Sequence, residues 1–414
     1  MKKLKLGFIG AGFIAGFQAL AMKQVRNCEI SAIYDHTGAP ELADYAKRNG
    51  LGEPKLYKSI KEMCNHCDAV ALFSPNYTRV EIMEKIVDAV KAGAPLKGVI
   101  CEKPLGRTIA EAERMVELAK DAKLLTSYFE NQLHMNSINN ALLQLKPQQE
   151  TMGGFTLARS TEEHAGPHNG WFWDPTQQGG GVLSDMGCHS IAIGRHILTP
   201  PGLSPTFLEP VAMQCDTSLL KWGQPKYMKQ LKDKYGVDYS KTPAEDFTTG
   251  ICTFKNPDTG QLVKAQFTDS WMYDKQGLRI WMDALGPGYA MELNTLISPL
   301  EIFIGDEAAE SVANAETALE KSTASRGLLA VHPNEADLYG YTTEIRDAVN
   351  SFLDGKDGLL NFEYGAEVTW LVQAAYMAAE KKKTIDLTDE NVRNELKSYR
   401  SLISQGRGAE VLFS

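Results

Sequence analysis

An α/β fold in two parts is predicted by three observations. Short apolar runs alternate with helical patterns over the first 129 residues. The first of those runs leads straight into closely spaced glycines. Beyond residue 130 the rhythm changes to alternating strand patterns broken by Pro- and Gly-rich turns. The first pattern specifies a doubly wound parallel sheet, the last an α/β domain with a large, open, mainly antiparallel sheet. A chain of 414 residues is long enough for two cores, and the natural division is 1–129 and 130–414.

The opening stretch carries the strongest local signal. Leu4, Leu6, Phe8 and Ile9 form a short apolar run suited to a buried parallel strand. Gly10, Gly12 and Ala15 follow at G-x-G-x-x-A spacing, with Phe13 and Ile14 in the first turn of a helix that runs to Met22. Strand, tight turn and helix in that order form a dinucleotide site. Gly10 permits the turn, Gly12 lets backbone approach a pyrophosphate, and Ala15 lets helix and strand pack closely. The helix N-terminus offers N–H groups to the anion. Lys2, Lys3 and Lys5 before an apolar segment also resemble a secretory signal, but glycines at dinucleotide spacing have no purpose there. The second strand, Glu29 to Tyr34, decides the matter. It ends at Asp35, where such a fold places the carboxylate that binds the adenosine ribose. That carboxylate repels a 2′-phosphate, so NAD is expected rather than NADP.

Further strands are expected at Lys55–Tyr57, Ala69–Phe73, Gly98–Cys101 and Leu124–Phe129, with helices at Pro40–Asn49, Val80–Gly93 and Ile109–Ala122. Ligands in doubly wound sheets lie beyond the carboxyl ends of the strands. Asp35, Ser74-Pro75-Asn76, Glu102-Lys103-Pro104 and Glu130-Asn131 all fall at those ends. Ser74, Asn76, Glu102, Lys103 and Asn131 therefore join the glycine turn as expected cofactor contacts.

In the second part, a helix is expected at His134–Leu145 and a strand at Phe155–Thr161. A loop rich in His and Trp follows, from Glu162 to Gln178, and then Gly179-Gly180-Gly181 opens a helix from about Val182 to Leu198. Strand patterns recur at Val211–Cys215, Thr248–Phe254, Val263–Phe267, Leu278–Asp283 and Tyr289–Leu293. A Lys- and Tyr-rich insertion, Thr217–Thr242, interrupts them and reads as a solvated loop and helix. Gly305–Pro333 reads as a helix and then a loop, a candidate lid or subunit contact. Helices at Tyr341–Leu353 and Tyr364–Lys383 follow.

Composition excludes several classes. The net charge is −9 and no basic run stands out, which argues against nucleic acid and anionic membranes as partners. No apolar run approaches the roughly 18 residues of a membrane span. Seven scattered cysteines look like reduced thiols, so a cytoplasmic location is expected. Cys64 and Cys67 form the one C-x-x-C pair; without a second pair they read as a helix-to-strand turn, and no metal site is expected.

The catalytic candidates lie after the glycine triplet. Asp185 and His189 are four residues apart, on one helix face. A carboxylate beside an imidazole orients it and raises its basicity, which makes a usable general base. Lys103 ends a buried strand at the ligand edge, where an ammonium can stabilise a reacting oxygen. Pro104 is a candidate cis residue that would direct that lysine.

These motifs together resemble the glucose–fructose oxidoreductase / inositol dehydrogenase / rhizopine-catabolism (Gfo/Idh/MocA) family. The resemblance runs over nearly the whole chain. It rests on G-x-G-x-x-A, Ser74 to Asn76, Glu102-Lys103-Pro104, the Asp185/His189 pair, the Gly340-Tyr341 to Glu344 helix and Ala374-Ala375-Tyr376. It implies a Rossmann domain plus an α/β domain whose open sheet makes homodimers or homotetramers. It implies NAD-dependent hydride transfer on a sugar, glycoside or polyol, with Lys103, Asp185 and His189 as catalytic residues. Oxidation at a glycoside ring carbon such as C3 is the preferred guess. An NAD-retaining glycosidase or epimerase and a non-catalytic NAD-binding sensor or scaffold are the alternatives. Two departures stand out: Arg79 where relatives often carry histidine, and the extra length at Thr217–Thr242. The aromatic loop supplies His164 and Trp173 as expected substrate contacts, in competition with a structural tryptophan cluster.

Overall fold

The structure, a computed structural model, describes residues 3–275, 277–297, 301–304, 327–330 and 334–413. The chain forms two compact units. The first comprises Met1–Met135 together with Tyr339–Trp370, and the second Asn136–Leu338 together with Leu371–Ser414. The expected single division at 129/130 is thus crossed by a late segment that returns to the first unit.

The first unit is built on six parallel strands. They are β1 (Leu4–Ile9), β2 (Cys28–Tyr34), β3 (Lys55–Tyr57), β4 (Ala69–Leu72), β5 (Gly98–Glu102) and β6 (Leu125–Phe129), in the order β3-β2-β1-β4-β5-β6. Every residue of β4 and β5 is buried, as central parallel strands covered on both faces require. The connecting helices start at readable signals. In the helix Ile109–Asp121 the cap Thr108 accepts a hydrogen bond from the Glu111 N–H (3.2 Å), a T-x-x-E capping pattern. The helix Tyr341–Leu353 packs on the helix Phe13–Met22, where the Phe17 and Tyr341 rings meet edge to face at 4.9 Å. Residues 357–360 then run along the edge strand β6. The Tyr128 N–H donates to the Leu360 carbonyl (2.8 Å), the Gly358 N–H to the Thr126 carbonyl (3.0 Å), and the Thr126 N–H to Asp357 Oδ1 (2.7 Å).

The second unit contains seven strands in one sheet: β7 (Leu157–Glu163), β8 (Glu209–Ser218), β9 (Phe247–Lys255), β10 (Leu262–Ser270), β11 (Arg279–Gly286), β12 (Tyr289–Asn294) and, past a small hairpin, β15 (Ile385–Asp386). The hairpin pairs β13 (Glu301–Ile304) with β14 (Gly327–Ala330). The order is β12-β11-β7-β10-β9-β8-β15, and every pairing is antiparallel except β7 with β10. β7 alternates buried and half-buried residues, the mark of a sheet covered on one face by helix. The covering helix is Cys188–Leu198, packed on β7 and β10. The helix expected at His134–Leu145 is a short 3₁₀ turn followed by Asn136–Gln144, and a further helix at Lys146–Met152 was not foreseen. Most of Gly305–Pro333 lies outside the described residues; where its loop was expected, Gly327–Ala330 is a strand.

Among the described residues no helix is long and apolar enough to cross a membrane. Cys64 and Cys67 are both buried at the turn into β4. Burial pushes their thiols up to about 12 and about 11, so neither is a ready thiolate.

Candidate active site

In the first unit the ligand edge is assembled as its spacing requires. Gly10 has φ +97°, and its N–H donates to the Tyr34 carbonyl (2.9 Å). A Cβ there would lie 2.9 Å from the Phe73 carbonyl group, so only glycine fits. Gly12 begins the helix in extended conformation, and a Cβ on it would meet nothing within 4 Å. No side chain caps this helix and its first turn carries no acid, which leaves its positive end to an anion. Phe13 is exposed, Ile14 half-buried and Ala15 fully buried against the sheet.

Asp35 sits at the end of β2. Its Oδ2 accepts from the Ala11 N–H (2.9 Å), and its Oδ1 accepts from the Thr37 N–H (2.8 Å) and hydroxyl (2.6 Å). Burial opposes ionisation, but these hydrogen bonds outweigh it and hold the carboxyl below its usual range. An ionised carboxylate is what a ribose diol needs and what a 2′-phosphate avoids. Asp35→Ala is expected to weaken NAD binding at least about tenfold, the worth of one charge-assisted hydrogen bond. Fluorescence titration with NAD measures it, and unchanged affinity would sink the ribose assignment.

The other expected contacts divide. Ser74 Oγ is buried with no partner among the described residues, an orphan suited to a ligand. Asn76 lies buried in a 3₁₀ turn just beyond β4. Lys103 is half-buried at the end of β5, before a cis Lys103–Pro104 peptide. Its turn is held by Arg79, the departure from the family pattern. The buried guanidinium donates through Nη1 to the carbonyls of Glu102 (2.7 Å) and Pro104 and through Nη2 to that of Lys103 (3.1 Å). Two of the expected contacts are also engaged within the protein. The Glu102 carboxylate accepts from Gln18 Nε2 (3.2 Å), which also donates to Glu344 (3.1 Å). Burial, with the Glu102 charge beside it, raises the Glu344 carboxyl well above the usual range. Asn131 gives its amide to the Tyr339 carbonyl (2.7 Å), anchoring the chain as it re-enters the unit.

In the second unit the glycine triplet has a specific cause. Glu245 is fully buried and faces it. Its carboxylate accepts from the Gly181 N–H (3.0 and 3.1 Å), the Leu183 N–H (3.0 Å) and the Tyr376 hydroxyl (2.6 Å). A Cβ on Gly180 would lie 1.9 Å from the Tyr376 hydroxyl, and one on Gly181 2.2 Å from the Glu245 carbonyl. The glycines therefore admit protein groups. The helix expected from Val182 is a π-turn, Leu183–Gly187, leading into the helix Cys188–Leu198. π-turns concentrate at functional positions, and this one carries Asp185. Both Asp185 and His189, on the first turn after it, are about 5% exposed. Trp271 Nε1 donates to Asp185 Oδ2 (3.3 Å).

A second carboxyl reaches this turn, one that the sequence did not single out. Asp269 on β10 is fully buried and accepts from the Ser190 hydroxyl (2.6 Å) and the Glu162 N–H (3.1 Å). Burial raises its carboxyl well above the usual range; the Glu162 charge adds to that and His189 relieves it.

The aromatic loop requires a correction. Trp173, expected to stack on substrate, is 1% exposed. Trp222, Trp271, Tyr239 and Tyr235 surround its ring at 4.5, 5.1, 6.2 and 6.3 Å. An indole enclosed on this scale is mainly a packing element, the structural tryptophan cluster that was the competing expectation. His164 is also buried, and its Nδ1 accepts from the Gly166 N–H (2.9 Å), which closes the loop on itself.

Uncapped helix, open glycine and ribose-type carboxylate define a dinucleotide-binding unit, joined in one chain to a second unit with a buried Asp–His turn. Comparison with known proteins makes this specific. Residues 4–129 match the Gfo/Idh/MocA oxidoreductase family, NAD-binding Rossmann fold, and residues 148–284 match the Gfo/Idh/MocA C-terminal domain. The chain belongs to this family, and its first unit is an NAD-binding Rossmann fold. It is 28% identical to the 1,5-anhydro-D-fructose reductase of Ensifer adhaerens over 197 residues, 46% of this chain and 56% of that protein. It is 28% identical to the myo-inositol 2-dehydrogenase of Thermotoga maritima over 200 residues, 47% of this chain and 55% of that protein. The chain spans about half the length of the curated relatives it matches. The structure of GenD2 from gentamicin A biosynthesis, solved with NAD, covers 94% of this chain and 97% of its own with a TM-score of 0.71; at 19% identity the likeness concerns the fold alone.

Proposed function

We propose that the protein is an NAD-dependent dehydrogenase acting on a secondary hydroxyl of a sugar, glycoside or cyclitol. The observation that carries this reading is buried Asp185 on a π-turn with buried His189 on the helical turn that follows it, in a chain whose other unit is an NAD-binding fold. Gly10, Gly12, Phe13, Ile14, Asp35, Ser74 and Asn76 hold the cofactor, which supplies a hydride acceptor when bound. His189 Nδ1 or Nε2 takes the hydroxyl proton. Asp185 stabilises the imidazolium that forms. The Lys103 ammonium donates to the substrate oxygen as alkoxide character builds and relaxes as the carbonyl forms. The relatives that reduce an anhydro sugar or oxidise an inositol support the substrate class. Oxidation at ring C3 is the preferred position within it. A cytoplasmic homodimer or homotetramer is the working state, formed through the open face of the second sheet.

An absorbance screen at the NADH band tests the reading, with sugars, glycosides and inositols against NAD and NADP. NADH is expected to accumulate with at least one member and faster with NAD. Product without net NADH would move the protein to the NAD-retaining class. Bound NAD with no turnover of any member would favour a sensor.

A further inference from the structure

The insertion and the aromatic loop, far apart in sequence, converge in the second unit. Together they line a cavity of about 490 Å³. The insertion enters it in a fixed shape, because Asp246 accepts three successive backbone N–H bonds, from Leu220 (2.7 Å), Lys221 (2.8 Å) and Trp222 (2.7 Å). The helix Pro225–Tyr235 then presents Tyr227 and Tyr235, both half-buried, to the same cavity. Tyr235 is tied down by its hydroxyl, which donates to the His168 carbonyl (3.0 Å).

The charge of this wall opposes that of the chain. Residues 217–242 hold six lysines and two aspartates in a protein of net charge −9. Two of those lysines line the cavity. Lys221 Nζ lies over the rings of Trp222 (5.1 Å) and Tyr227 (5.2 Å), and Lys234 Nζ over Tyr235 (4.8 Å). Asp274, the carboxylate paired with Lys221 at 2.5 Å, is 69% exposed and thus screened by water and salt. The buried Trp173 borders the cavity, and its indole N–H has no partner among the described residues.

Pockets of this size take a single small molecule. Aromatic rings pack on the C–H faces of a pyranose. Ammonium groups held against rings are already ordered and lose little entropy on meeting an anion. We propose that this cavity binds a sugar bearing a phosphate or carboxylate group. The proposal stands independently of the reaction assigned to His189.

Tryptophan fluorescence and titration calorimetry on the full chain test it, with glucose 6-phosphate, glucuronate, glucose and inorganic phosphate as probes. Saturable binding is expected for one or both anionic sugars; which of the two is tighter identifies the anion. Glucose is expected to bind at least about tenfold more weakly, since one charge contact is worth about 1.4 kcal/mol. Lys234→Met, at an exposed position, is expected to raise Kd about threefold, and the Lys221→Met/Lys234→Met pair about tenfold. His189→Ala should leave the Kd unchanged. Absent binding, glucose binding as tightly as the anionic sugars, inorganic phosphate matching them, or affinity lost with His189 but kept in the lysine pair would each overturn the proposal.

Discussion

His189→Ala is expected to lower kcat by about 10²–10⁴-fold, the usual worth of a positioned general base. NAD affinity should stay within about twofold, because His189 is not among the residues proposed to hold the cofactor. The two readouts separate the roles. A base removed from an intact site depresses kcat and leaves cofactor binding alone. Loss of NAD binding with turnover would instead assign His189 to the fold. Asp185→Asn sharpens the test, since it keeps the Trp271 hydrogen bond to an oxygen while removing the charge proposed to stabilise the imidazolium. Its kcat should fall less than that of His189→Ala, because the base itself is kept.

Glu245→Ala is expected to be the most destabilising single change in the second unit. It strands two buried backbone N–H groups and the Tyr376 hydroxyl, and it opens a void behind the glycine triplet. Breaking a buried network of this kind costs about 3–5 kcal/mol, measurable by chemical denaturation. Glu245→Gln should cost far less, because an amide oxygen can accept the same bonds. The pair also predicts a pH signature. Burial is the main cause that raises the Glu245 carboxyl from 4.5 to about 7. The folded protein therefore holds a proton that the unfolded chain releases, and that stability is lost as pH rises from about 4.5 through about 7. Denaturation midpoints of the wild type should fall over this window more steeply than those of Glu245→Gln. Equal slopes would show that this carboxyl does not titrate there.

The parts of the fold that were legible in sequence are those set by neighbours along the chain. Gly10, Gly12, Ala15 and Asp35 follow one another through a strand, a turn, a helix and a strand, so local spacing alone places them. The strand ends at Ser74 and Lys103 were readable because uninterrupted apolar runs stop there. Partners brought together by tertiary packing were not. Arg79 meets Lys103 and Pro104 from 24 and 25 positions away, and Glu245 meets Gly181 from 64 away. Asp269 reaches Ser190, next to His189, through the packing of helix Cys188–Leu198 on β10, which no short-range pattern announces. The burial of Trp173 was not legible for a related reason: a tryptophan in a loop looks the same whether its face is open or enclosed, and Trp222 and Trp271 that enclose it come from other segments.

The strip at residues 357–360 bears on how the molecule is made. All six strands of the first sheet have been synthesised by Phe129, yet β6 is left as a bare edge at that point. Its covering partner, Asp357, is 231 positions downstream of Thr126. A nascent chain must therefore carry an unpaired strand border through the synthesis of almost the entire second unit. Unpaired borders template sticking to other chains. An expression fragment cut after Met135 keeps that border permanently, together with Gln18 stripped of one of its two acceptors. A separately produced dinucleotide half needs residues 339–370 supplied, fused or in trans, to stay dispersed.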